Sequence, residues 1–369
     1  MAIDLGIDFT WERWAQTKHN YREWWAGRLK RPLINITVGG YEARSPKPDI
    51  PFHWFQSWYD LSVPVSKIVD WYQVNLESTR FPGDSFPHVA PYFGPGVAAA
   101  FMGAEVVNTR ESGTTWFKPQ EHLPARQRHL RHEHQSAWWQ RVCDLTATAG
   151  RRFEGFVQVD MTDLGGNLDL VATFLPSEEL LLDLYDAPDE IERLAWEAHK
   201  MWWYYFDELN KLTPRNPGYT AWTPILSEDP YYMLQCDFCY MIGPEMFDRF
   251  VKPELAASCK RLKNAFYHLD GPGQLPHLDS LLQIPELKGV QWVPGDGQPG
   301  ITEWPEVYRK IRKAGKLVQF FNTQSPAGLK TLDILADQLG SAEGLIMVGG
   351  VGREQADELH ECLRKYGAG

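Results

Sequence analysis

The sequence predicts an α/β protein built as one (β/α)8 barrel. Three observations carry that expectation. Eight strand-like runs alternate with helical segments along the chain. No linker rich in Ser, Gly or Pro divides its 369 residues. Barrels of this kind reach that length as a single unit, which is long for other single domains. The expected domain covers residues 1–369, with residues 1–30 as a helical segment packed on the barrel. A doubly wound open sheet is the alternative arrangement of the same alternation.

The elements follow in order. "WERWAQTKHNYREWWAGRL" reads as an N-terminal helix, and "RPLINITVGG" as a β-branched strand ended by glycines. "SVPVSKIVDWYQVNL" is a helix opened by Ser62, and "FPHVAPYFGPG" a short strand marked by prolines. "AEVVNTRESGTTWFKP" is a hairpin excursion with its turn at Ser112–Gly113. A long polar helix is expected over 122–149, and it carries "HLRHEHQ" on a solvated face. "FEGFVQVD" is the third barrel strand, and two helices split near Pro188 follow. The remaining strands are "GYTAWTPIL", "FYHLD", "GVQWVP", "KLVQFFN" and "GLIMVGG", each followed by a helical run. "VGGVGREQ" reads as a glycine turn into the last helix.

Composition narrows the function. A net charge of −11 excludes a general nucleic-acid binder, which needs a basic face to neutralise phosphates. No run of 18 apolar residues predicts a membrane span, and the start lacks the marks of a signal peptide. The five cysteines are odd in number and dispersed, which fits free thiols in a reducing cytoplasm. "QCDFC" places Cys236 and Cys239 in a C-x-x-C, and one such pair alone is poor evidence for zinc. A homodimer stays open, and the expected partner is a small-molecule substrate.

The chemistry of a barrel sits at the C-terminal ends of its strands. There "YHLDGPG" places His268 and Asp270 two residues apart, so both point to one face before the glycines break the strand. Other carboxylates expected near the same mouth are Asp160, Asp163, Asp237 and Asp296. A pair of these serves as acid and base, or as acid and nucleophile. Trp222, Tyr267, Trp292 and Trp304 would wall the site, with Trp116, Asn322 and Gly350 as further substrate contacts. An apolar wall raises a carboxyl pKa and suits the face of a sugar ring.

The stretches "YFGPGVAAAFMGA", "QVDMTDLGGNLDLVA", "YHLDGPGQLPHLDSLL", "VQWVPGDG" and "GLIMVGGVG" resemble the uroporphyrinogen decarboxylase superfamily, which includes corrinoid-linked methyltransferases. The resemblance implies, for the methyltransferases, a zinc site from a His-x-Cys pair and a later Cys, with a corrinoid protein as partner. Here His268 matches the His, Asp270 stands at the first Cys, and Gly350 lies near the second. For the decarboxylases it implies an arginine-rich N-terminal loop, which this chain lacks.

The expected function is therefore an enzyme acting on a small polyhydroxylated or sugar-like substrate, with glycoside cleavage in view. The catalytic set is His268, Asp270, Asp160, Asp296 and Asp237. A hydrolase or lyase is favoured, and a corrinoid-linked methyltransferase is the alternative. Decarboxylation or non-catalytic binding come after these. No cofactor is expected, and a metal on His268 and Asp270 is the lesser alternative.

Overall fold

Ten strands order the computed structural model, which describes residues 5–109 and 113–369. They are β1 (Leu33–Val38), β2 (His88–Val89), β3 (Glu105–Thr109), β4 (Thr114–Lys118), β5 (Gln158–Val159), β6 (Tyr231–Gln235), β7 (Asn264–Asp270), β8 (Leu287–Val293), β9 (Leu317–Phe321) and β10 (Leu345–Val351). Six form one sheet in the order β1-β10-β9-β8-β7-β6, and every pair in it is parallel. β2 and β5 form a second parallel pair, and β3 with β4 an antiparallel hairpin. Strands buried on both faces read as near-continuous apolar runs, as "LIMV" of β10 and "YYML" of β6 do.

No continuous ladder joins the two parallel sheets among the described residues. Side chains cover both seams instead. At the free edge of β1, Ile34 N–H donates to Asp84 Oδ2 at 3.0 Å, and Asp84 N–H donates to the Ile34 carbonyl at 3.1 Å. At the edge of β5, the Asn216 amide accepts from Val159 N–H at 3.2 Å and donates to the Val159 carbonyl at 2.8 Å. The Asp84 carboxylate and backbone N–H at one seam, and the Asn216 amide at the other, satisfy backbone groups that a neighbouring strand would otherwise pair.

The N-terminal helix Trp11–Trp25 is capped by Thr10, whose hydroxyl accepts from Arg13 N–H at 3.2 Å. It lies across the N-terminal ends of the strands. Trp24 stacks on Phe266 of β7 at 6.0 Å, Trp25 meets Tyr231 of β6 at 5.6 Å, and Tyr21 meets Phe86 before β2 at 5.8 Å. Phe266 is fully buried, so this end is closed by aromatic packing.

Several expected elements differ. "GYTAWTPIL" is not a strand: only Tyr219 bridges, to Ser227, and Pro224 interrupts the run. The strand in that place is β6, five residues on. The expected helix over 122–149 begins only at Ala137, where the Ser136 hydroxyl caps it by accepting from Trp139 N–H. The preceding "HLRHEHQ" is irregular chain rather than helix; it is largely exposed, as expected, with Leu130 buried and His132 half-buried. His129 and the Leu130 N–H both bond Glu197, and His132 reaches the Tyr205 hydroxyl. Of the glycines of "VGGVGREQ", Gly349 and Gly350 lie within β10, which runs on to Val351, and only Gly352 leads into the turn Arg353–Gln355 before the last helix. The hairpin forms as expected, but Ser112 of its turn lies outside the described residues.

Candidate functional site

Strand parity builds the site. In register, Gln235 of β6 lies beside His268 of β7, His268 beside Gln291 of β8, and Gln291 beside Gln319 of β9. Residues level with one another on adjacent strands share a face. The side chains confirm it: His268 Nδ1 bonds Gln291 Oε1, and Gln291 Nε2 donates to Gln319 Oε1. Asp270, two residues beyond His268, points the same way, with its Oδ2 at 3.8 Å from His268 Nε2.

A third group joins them from β6. Asp237 opens the short 3-10 turn Asp237–Met241 that follows the strand. Asp169, on the helix Asn167–Phe174, holds that turn by accepting from Asp237 N–H at 3.1 Å and from Phe238 N–H at 2.8 Å. One ligand atom each from Asp237, His268 and Asp270 lies within 4.8 Å of the others. Asp237 is exposed and the Asp270 side chain is 40% exposed, whereas His268 is 14% exposed, so the cluster opens outward from a buried imidazole.

The electrostatics follow from this crowding. Burial pulls the His268 pKa down, but Asp270, Asp237 and the Gln291 bond together raise it above the ordinary value. Burial raises the Asp237 pKa; His268 opposes that shift and Asp270 adds to it. Asp163, in the loop after β5, is pushed up to about 7 by burial, although Gly165 N–H donates to it at 2.9 Å. Burial and the Asp237 charge push Asp169 to about 7 as well. No Lys or Arg pairs with Asp163, Asp169, Asp237 or Asp270 among the described residues.

The other expected residues fall in different places. Trp222 sits edge-on to His268, with ring centroids 5.1 Å apart. Tyr267 and Trp292 do not wall the cluster, because parity turns them to the opposite face of the sheet. Tyr267 is buried there and donates to Gln274, and Trp292 is buried against Trp304 at 5.2 Å. Asp296 is in an exposed loop, where it accepts from Gly297 N–H and does not join the cluster. Trp116 is exposed on the hairpin, opposite Val107. Asn322 is buried after β9 and donates to the Gly350 carbonyl at 3.2 Å. Gly349 lets it approach, since a Cβ there would lie 1.9 Å from Asn322 Oδ1. Cys236 and Cys239 are buried free thiols.

Asp160 belongs to a second polar group. Its buried carboxylate bonds His88 Nδ1 at 2.6 Å and accepts from the Thr220 hydroxyl at 2.5 Å. Gln158 Nε2 donates to the same hydroxyl at 2.9 Å. The His88 ring is 24% exposed. Burial lowers its pKa, but the Asp160 charge and bond outweigh that and leave it raised. His88, Gln291 and Asp169 were not among the expected site residues. Alternation along "PHVA" would have flagged His88, which lies level with Gln158 on the neighbouring strand.

No protein-family model and no curated protein matches this chain. Its fold is similar to that of a methyltransferase from Methanosarcina mazei. The likeness covers 95% of this chain and 99% of that one, with a TM-score of 0.59 at 12% identity. The shared fold is α/β with a parallel sheet. No described helix is long and apolar enough to cross a membrane.

Proposed function

We propose that this chain is a metal-dependent methyl-transfer enzyme whose cation is held by Asp237, His268 and Asp270. The convergence of those three side chains at strand ends, in a fold like that of a methyltransferase, carries the reading. The donor set suits a divalent ion. One imidazole nitrogen and two carboxylates serve zinc, iron or manganese, with Asp270 making the site harder than a thiolate would. When bound, the cation lowers the pKa of a thiol or water and supplies a nucleophile near neutral pH.

The chain's own residues do the rest. His268 presents Nε2 while Nδ1 is held by Gln291. Asp169 fixes the turn that carries Asp237. Trp222 packs its edge against the imidazole and limits its rotation. The acceptor reaches the site from the side where Asp237 and Asp270 are open. The methyl donor would be the corrinoid partner that the family resemblance implies. The eight parallel strands are read as one barrel wall whose seams Asp84 and Asn216 cover. Five free thiols fit the reducing cytoplasm expected of it.

Two other readings receive less support. Sugar cleavage would use the same carboxylates, but the fold likeness favours methyl transfer. Decarboxylation of a polycarboxylate would bring like charge against Asp237 and Asp270 with no paired cation among the described residues.

The test uses purified protein loaded with zinc, manganese or iron(II), methylcobalamin as donor, and cysteine or 2-mercaptoethanol as acceptor. Thioether formation that needs the cation and disappears in His268→Ala is expected. No transfer with any of the three ions, or transfer untouched by a chelator and by His268→Ala, would overturn the reading.

A further inference from the structure

Three polar side chains stand level across three neighbouring strands: His268 on β7, Gln291 on β8 and Gln319 on β9. Gln291 and Gln319 have no exposed surface, and both lie in strand interiors where apolar residues would pack as well. Buried amides are kept at a cost unless their bonds specify something. What this row specifies is the position of one proton. In the orientation present, Gln319 Oε1 accepts from Gln291 Nε2 while Gln319 Nε2 has no partner, and Gln291 Oε1 faces His268 Nδ1. A carbonyl oxygen only accepts, so in this orientation Nδ1 carries the hydrogen. The other ring nitrogen, Nε2, is then the one directed at Asp270 and free to bind a cation.

We propose that Gln291, backed by Gln319, is a positioning relay that selects the Nδ1–H form of His268 and so delivers the Nε2 lone pair to the metal site. The proposal rests on the metal-site reading for its purpose, not for its geometry. Turning both amides over would put the hydrogen on Nε2, aim it at Asp270 and close the site to a cation. The same Nδ1–H bond serves His268 whether Nε2 holds a proton or a metal, so the two exchange without moving the ring. Partners of this kind, one bond removed from the metal, set ligand orientation and affinity.

The experiment compares Gln291→Met, Gln291→Glu and Gln319→Met by zinc titration calorimetry, after thermal melts establish that each is folded. Gln291→Met lets both ring forms coexist and should weaken zinc binding by about 10–100-fold. Gln291→Glu can only accept, so it should bind zinc at least as tightly as wild type. Gln319→Met should fall between. If Gln291 only filled space, the buried charge of Gln291→Glu would be the most damaging change; that order overturns the relay. Nitrogen-15 spectra of metal-free protein at pH 9 supply an independent readout. They should report Nδ1–H in wild type and a mixture in Gln291→Met. Nε2–H in wild type would also overturn the proposal. Wild type that binds none of zinc, manganese or iron(II) yet shows Nδ1–H would instead sink the metal-site reading and leave the relay standing.

Discussion

Asp84 substitutes for a missing strand beside Ile34, pairing with that residue's N–H through a carboxylate oxygen and with its carbonyl through the backbone. The same carboxylate takes two bonds from Arg31, at 2.7 and 2.9 Å, and one from Asn20 at 2.8 Å. It is fully buried, and the Arg31 side chain is 16% exposed. Removing one partner of a buried pair strands the other charge. Asp84→Ala should lower unfolding free energy by about 3–5 kcal/mol in urea titrations. A loss below about 1 kcal/mol, the range of an exposed pair, would mean the seam is held by something else.

Metal binding at the proposed site should be pH-sensitive in a defined direction. His268 holds its proton to a higher pH than an ordinary histidine, and a cation at Nε2 must displace it. Affinity should therefore fall as pH drops through that raised pKa, with release of about one proton per ion at the lower pH. Calorimetry in buffers of different ionisation enthalpy counts the protons. Affinity that rises on acidification would exclude His268 as a ligand.

Asp163 makes a prediction of opposite character. Its folded pKa of about 7 lies above that of an unfolded aspartate, so the native state keeps a proton the unfolded chain has released. Native stability is favoured below the unfolded pKa and declines as pH rises from about 4 to 7, by ~4 kcal/mol for this group alone. Asp163→Asn should be more stable than wild type at pH 8 and no more stable at pH 4. Equal melts at both values would show that the carboxyl ionises freely.

His88 carries the same sign as Asp163, because its pKa is also raised. Its raised pKa contributes stability that is complete below the unfolded histidine value and lost as pH rises through the folded one. Asp160→Asn should bring the His88 titration back down, as read by NMR. An unchanged His88 pKa in that variant would deny the pair its electrostatic coupling.

Gly349 should tolerate no side chain. At a φ of 148° a Cβ would fall 1.9 Å from Asn322 Oδ1. Gly349→Ala should cost about 1–3 kcal/mol, the usual range for overpacking. Part of that cost should return in the double variant with Asn322→Ala, whose shorter side chain relieves the clash. Purely additive losses would place the strain in the backbone alone.

His268 and Asp270 were legible because their signal is local: two residues apart on a strand, then a glycine. Asp237 was visible only as one of several aspartates, since what brings it to His268 is the turn that Asp169 holds from 68 residues away. Trp292 and Gln291 show the limit from the other side. Both sit in one apolar strand, and which of them faces inward depends on register with β7, a tertiary fact. The missed strand β6 is four apolar residues and a glutamine without alternation, too short to announce itself beside "GYTAWTPIL". Most of the alternation of strands and helices was legible, because each helix must follow its strand to cover it; "GYTAWTPIL" and the start of the helix at Ala137 were the exceptions.

On the barrel reading, the aromatic floor laid by Trp24 on Phe266 would make the inner space a cup with one doorway rather than a tunnel. On the methyl-transfer proposal, a donor and its acceptor would share that doorway. Whichever goes deeper must arrive first and depart last, and a large donor seated over the opening would trap what lies beneath it. Turnover should then follow a compulsory order: excess donor should inhibit by sealing the cup before the acceptor is in, while excess acceptor should not. Steady-state rates at crossed concentrations of the two would read that order directly, and inhibition by neither would mean that the small molecule has another way in.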